Sequence, residues 1–254
     1  MESTSVQLII DASDQNTANF TLNYTEKVIR NFNSQFAGVE NPLDIRIRNW
    51  YNPQGKSTYF IVPGILAIIL VMICAMLTSI AVTKEKETGT LEQLLISAVT
   101  PTEIILGKVI PYIFLAVIDA ALVLSVSFFL FQVPFYGSLI LLIVLSLLYI
   151  ICSLSLGLLI STISNSQQNA MMFAIAATLL PSMFLSGFFF PIRSMPVILQ
   201  KISQIVPARY YLQIVRGIML KSNSLSELLP SVFPLIIMSI FLLTLSVKRF
   251  KNML

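Results

Sequence analysis

The chain has 254 residues, 56% of them hydrophobic and only 11% charged, with a net charge of +4. A soluble domain carries about 25% charged residues, so the composition excludes an ordinary soluble fold, and basic residues spread along the flanks of apolar runs give no case for nucleic-acid binding. Histidine is absent and both cysteines, Cys74 and Cys152, lie inside apolar runs, which leaves little material for acid–base catalysis, a metal site or a structural disulfide.

Residues 1–58 are the one extended polar stretch. Val6–Asp11 reads as a short strand. Ala18, Leu22, Thr25, Ile29, Phe32 and Phe36 then recur every three or four residues, as on the inner face of an amphipathic helix. Ile45 and Ile47 alternate with Arg46 and Arg48 in a second strand ending near Trp50. A small α+β segment is expected, marginal on its own at this size.

Five apolar segments follow, over 59–82, 109–133, 139–163, 170–190 and 232–247. Each approaches or exceeds the roughly 20 residues that a helix needs to cross a bilayer, and in hydrocarbon only helices or closed barrels satisfy the backbone. The fold class is therefore an all-α polytopic membrane protein of about five transmembrane helices. Between the last two spans, Pro191, Pro196, Pro207 and Pro230 break up a moderately apolar stretch carrying Arg193, Lys201, Arg209, Arg216 and Lys221. Short interfacial or re-entrant helices are expected there rather than another span. Lys84, Lys86, Lys108, Lys248, Arg249 and Lys251 fall on one side of the membrane and the five basic residues just named on the other. The tight Lys248-Arg249-x-Lys251 cluster favours a cytoplasmic C-terminus and an extracytoplasmic 1–58 segment.

The densest charge, Lys84-Glu85-Lys86-Glu87, lies between two apolar segments and is followed by Gly89. Thr90 with Gln93 has capping-box spacing before a Leu91, Leu94, Leu95, Ala98 and Val99 face, and Glu92 adds negative charge in that first turn. Thr100-Pro101-Thr102-Glu103 repeats the start signal. A short helix over about 90–98 and a new one from 101 are expected, forming a stiff projection between spans.

These residues resemble a known family. Lys84-Glu85-Lys86-Glu87-Thr88-Gly89-Thr90-Leu91-Glu92, followed by Leu94-Leu95, Pro101 and Gly107-Lys108, is similar to the signature of ABC-2 type transporter permeases. Asn52-Pro53, Pro63-Gly64, Leu185-Ser186-Gly187-Phe188 with Pro191, Pro207-Ala208-Arg209-Tyr210 and Arg216-Gly217 extend the likeness in order. It is nearest to the subgroup with a large exterior domain between the first two spans. The resemblance implies a six-span permease of the bacterial inner membrane, paired with a second copy or a paralogue and driven by cytoplasmic P-loop ATPase subunits that use ATP and Mg. A periplasmic adaptor and membrane lipid are further expected partners. Residues 59–254 would form the transmembrane domain, with the 84–108 loop as the ATPase-coupling element and 1–58 as part of the exterior domain. The first span and the first half of that domain are expected to be missing from this chain. The alternative is a non-transporting scaffold or a truncated relic of such a permease.

No nucleotide or cofactor site is expected in the chain itself. Gly55-Lys56-Ser57-Thr58 lacks the glycine that a phosphate loop needs five positions before Gly55, where Trp50 stands. Asp119 is the one acid in the middle of a span, a candidate for the translocation path against a hydrogen-bonded packing role. Arg193, Arg209 and Arg216 are read first as interfacial anchors, and Phe188, Phe189, Phe190, Tyr210 and Tyr211 as belt aromatics.

Overall fold

The structure, a computed structural model, describes residues 4–11, 15–35, 43–50, 56–90 and 101–253. It divides into two compact units, Met1–Ile61 and Val62–Leu254.

In the first unit, β1 (Thr4–Asp11) and β2 (Leu43–Trp50) pair in parallel, with Thr4 opposite Leu43 and Asp11 opposite Trp50. Parallel neighbours need a crossover, and α1 (Gln15–Ser34) supplies it while packing on both strands. Leu22, Thr25 and Ile29 are half-buried, as their spacing implies. Phe32 is not: it is exposed, in line with Phe20, Tyr24 and Val28 on a second apolar stripe. Phe36 lies outside the described residues.

Among the described residues, the second unit has five helices long and apolar enough to cross a membrane. They are α2 (Ser57–Glu87), α3 (Pro101–Phe129), α4 (Leu139–Ile163), α5 (Gln167–Leu185) and α8 (Leu225–Met253). Between α5 and α8 lie a 3₁₀ turn (Ile192–Ser194), the short α6 (Val197–Ile202), a second 3₁₀ turn (Ser203–Ile205) and α7 (Pro207–Lys221). The chain is an all-α polytopic membrane protein with a small α+β segment at its start.

Several boundaries differ from the hydropathy pattern. The fourth span stops at Leu185 rather than Phe190, because Gly187 adopts a left-handed φ of 87° and turns the chain. The last span starts earlier than 232. The Glu227 carboxylate accepts the Ser224 backbone N–H at 3.1 Å, the return half of a capping box, and opens α8 seven residues ahead of the apolar run. Pro230 is thus inside the helix, as Pro234 is, rather than breaking it, as membrane helices tolerate.

α4 is the centre of the bundle, packing most extensively on α8 and also on α7, α3 and α5. It meets α2 at Gly157, where a Cβ would stand 2.5 Å from the Ala75 carbonyl oxygen. Only glycine permits that backbone approach. Three hydroxyl hydrogen bonds add direction. Tyr149 donates to the Ala67 carbonyl of α2 at 2.8 Å, Ser146 and Tyr211 of α7 share a bond of 2.7 Å, and Ser246 of α8 donates to the Ser155 carbonyl at 2.8 Å. The Tyr149 and Tyr211 rings stack at 4.0 Å, and both are fully buried. Interhelical bonds of this kind contribute about 0.6 kcal/mol each in hydrocarbon.

α7 takes the re-entrant form of the expectation rather than lying flat on the surface. Its Tyr211, Ile214, Val215 and Ile218 are fully buried. Its last turn bonds the α3–α4 connection, through Tyr136 N–H to Met219 carbonyl and Ser222 hydroxyl to Tyr136 carbonyl, both 3.0 Å. Tyr211, by contrast, reaches residues two to three turns inside α4. At about 1.5 Å per residue α7 is too short to cross a bilayer, so it dips in beside the first half of α4. α3 is the least enclosed span: 17% of its most apolar window is buried, against 61% for α2.

Replacing Gly157 by valine should force α2 and α4 apart and cost about 1–3 kcal/mol. The expected readout is a lower thermal transition and a smaller monodisperse fraction in detergent, with Gly157→Ala intermediate.

Candidate functional site

The four charges of Lys84–Glu87 are not in a loop. They form the last turn of α2, because lysine and glutamate are good helix formers and the two lysines suit the negative pole of the helix. The helix then stops. Thr88 N–H and hydroxyl both donate to the Lys84 carbonyl at 2.9 Å, and Gly89 turns the chain with φ of 75°. The Thr90 hydroxyl donates back to the Glu85 carbonyl at 3.3 Å.

Successive residues on a helix point about 100° apart, and Glu85, Lys86 and Glu87 meet three different partners. Glu85 pairs with Lys108 of α3. Lys86 donates from Nζ to the Ser164 carbonyl at 2.9 Å and to Asn165 Oδ1 at 3.1 Å, at the C-terminus of α4. Glu87 Oε2 accepts from the Gln167 backbone N–H at 3.0 Å and from Gln167 Nε2 at 3.1 Å, at the N-terminus of α5. The cation thus sits at a negative helix pole and the anion at a positive one, both favourable. Ser166 completes the turn by capping α5, its hydroxyl accepting the Asn169 N–H at 3.3 Å. Lys84, Thr88, Gly89 and Thr90 are exposed.

Leu91 and Glu92, the Gln93 half of the first capping box, the 90–98 helix and the Thr100 cap lie outside the described residues. α3 begins at Pro101 with Glu103 in its first turn.

Asp119 is elsewhere. It is 11 positions along α3 from Lys108, about 16 Å at helical rise. It is half-buried, and its Oδ2 is buried with no hydrogen-bond partner among the described residues. A cleft of about 300 Å³ between α3 and α4 is lined by Val117, Ala121, Leu124, Ile143, Leu147 and Ile150 on another face of α3, without Asp119. Among the described residues no three His, Cys, Asp or Glu side chains gather as metal ligands.

Two of the three arginines bind the chain itself. Arg209 Nη1 donates to the Gln200 carbonyl at 3.1 Å and the Ser203 hydroxyl at 2.6 Å, tying α7 to α6 and the 3₁₀ turn between them. Arg216 Nη1 donates to the Gly187 carbonyl at 3.2 Å. Tyr211 is core rather than belt, and Phe188 is buried against Gly64, while Phe189 and Phe190 remain exposed. Asn165, Ser166 and Gln167 went unmarked by sequence. Their signal was a polar Ser-Asn-Ser-Gln break with cap residues between two apolar runs.

Residues 1–248 match the family model described as ABC-2 family transporter protein. The chain belongs to this family. The permease is 41% identical over 252 residues to the probable multidrug ABC transporter permease YbhS of Escherichia coli (strain K12), covering 96% of this chain and 67% of that protein. It is 34% identical over 237 residues to the probable multidrug ABC transporter permease YbhR of the same strain, covering 92% and 64%. The inner membrane transport permease YhhJ, also from that strain, is 29% identical over 257 residues, covering 97% and 67%. The permease spans about two thirds of the length of these relatives.

Arg209→Ala should free the segment that Arg209 ties down. Amide hydrogen exchange over residues 197–206 is expected to rise several-fold while α4 stays protected.

Proposed function

We propose that this chain is the membrane-spanning part of an exporter driven by ATP hydrolysed on a separate P-loop ATPase, with residues 84–92 as the coupling element. Family membership and five apolar helices establish a multi-pass membrane protein of the transporter-permease class. The observation that carries the finer reading is the end of α2, where a helix leaves the apolar bundle, stops at Gly89 and projects an exposed polar turn. α2, α3, α4, α5 and α8 all have a terminus at that end. It gathers Lys84, Lys86, Lys108, Lys248 and Arg249, which favours a cytoplasmic placement. The pairing with a second permease copy follows from the same reading, as does an inner-membrane location. The names of YbhS and YbhR make small-molecule drugs the first substrates to assay.

The structure changes how coupling is tested. Charge reversal at Glu85 or Glu87 breaks bonds within the chain, so it does not isolate a partner contact. Lys84 is exposed at the same turn. Affinity purification of the whole transporter should bring down a Mg-dependent ATPase activity, and Lys84→Glu should lower the retained activity several-fold with an unchanged elution profile. Equal retention together with wild-type transport overturns the assignment of this turn.

Gly89→Ala places a Cβ on a left-handed residue, a strain of about 1 kcal/mol, in open surroundings. Transport is expected to fall severalfold at normal expression. Asp119→Asn tests the path: a fall in export of fivefold or more supports a role there, and unchanged export at normal expression removes Asp119 from it.

A further inference from the structure

We propose that the Glu87–Gln167 contact is the point at which movement of the coupling turn is handed to α5, which makes Gln167 a positioning residue for transport and α5 the element that it moves. The inference rests on the exporter reading above.

Three observations carry it. First, the contact is made to the end of α5. Glu87 holds both the first backbone N–H and the side chain of Gln167, so a displacement of the α2 turn acts along the axis of α5 from its terminus. Lys86 meanwhile holds the preceding end of α4 at Ser164 and Asn165. Rotating the last turn of α2 by one residue, about 100°, withdraws all three charged side chains from their partners together. The structure holds the engaged arrangement of this joint.

Second, α5 is lightly enclosed by the rest of the membrane unit. Only 22% of its most apolar window is buried, and the inward positions are Ala170, Ala174, Thr178 and Ser182. These are four small side chains at every fourth position, with the larger Ile175, Leu179 and Met183 only half-buried beside them. The α2–α4 contact is the opposite case, locked by Gly157 and by the Tyr149 hydroxyl.

Third, α5 is tied near both ends. At its far end the Arg216 guanidinium of α7 holds the Gly187 carbonyl. Near its start Ser79 of α2 reaches the Ala170 carbonyl at 3.5 Å. A push at Gln167 therefore arrives at the Gly187 turn and, through Arg216, at the dipping helix α7.

The test uses the whole transporter with its ATPase in proteoliposomes, and three variants: Gln167→Glu, Glu87→Gln, and the exchange of both. Gln167→Glu sets two carboxylates against each other, whereas the exchange restores an amide facing a carboxylate. Expected are a loss of transport of fivefold or more in Gln167→Glu with ATPase retention unchanged, and recovery to at least half of wild type in the exchange. Wild-type transport in Gln167→Glu, or no recovery in the exchange, overturns the proposal. Hydrogen exchange over residues 168–172, measured on the permease alone, should rise in Gln167→Glu and fall back in the exchange. Unchanged exchange in Gln167→Glu overturns the joint without reference to any ATPase. Absence of ATPase activity from the wild-type complex overturns the exporter reading instead.

Discussion

Everything in the membrane unit depends on how closely α4 approaches α2. In hydrocarbon, apolar side chains gain little by leaving lipid for one another, so helices are held by close backbone contact and by hydrogen bonds between them. Gly157 lets the Ala75 backbone come near, and the Tyr149 hydroxyl then finds the Ala67 carbonyl within reach. Those two features fix the spacing and rotation of the pair. α7 and α8 are added to that frame by Tyr211 stacked on Tyr149 and by the Ser246–Ser155 bond.

The bundle is consequently unequal from end to end. Its middle is held by buried, short-range contacts with no room for adjustment. Its charged end is held by side chains that are partly in contact with solvent, with Glu85 and Lys108 keeping 33% and 15% of their side-chain surface exposed. Exposed ion pairs contribute about 0.2–1 kcal/mol, so these contacts define an arrangement without making it permanent. A transporter needs that combination: a frame that does not yield and a joint that does.

The sequence made the long elements legible and the contacts between them opaque. The α4 bounds fall at Leu139 and Ile163, where the apolar run itself begins and ends. Gly89 was legible as a sharp turn, though as the lead-in to the Thr90 cap rather than as the left-handed stop of α2 that it is. The start of α8 was hidden because Pro230 weighs as a breaker, whereas the Ser224–Glu227 box and the lack of water around the backbone keep the helix going. The burial of α7 was masked by its arginines, which suggest a surface but are spent on the carbonyls of Gln200 and Gly187. The partners of Lys86 and Glu87 lie 78 and 80 positions away in the chain. No local spacing rule reaches that far.

The order of the charges at the end of α2 has its own consequence. Lys86 lies against the closing carbonyl of one helix and Glu87 against the opening amide of the next. Transposing these two residues would leave composition, net charge and hydropathy untouched, and would still set a cation against an amide and an anion against a carbonyl. The meaning of this segment is in its wiring, one terminal at a time, rather than in how much charge it holds.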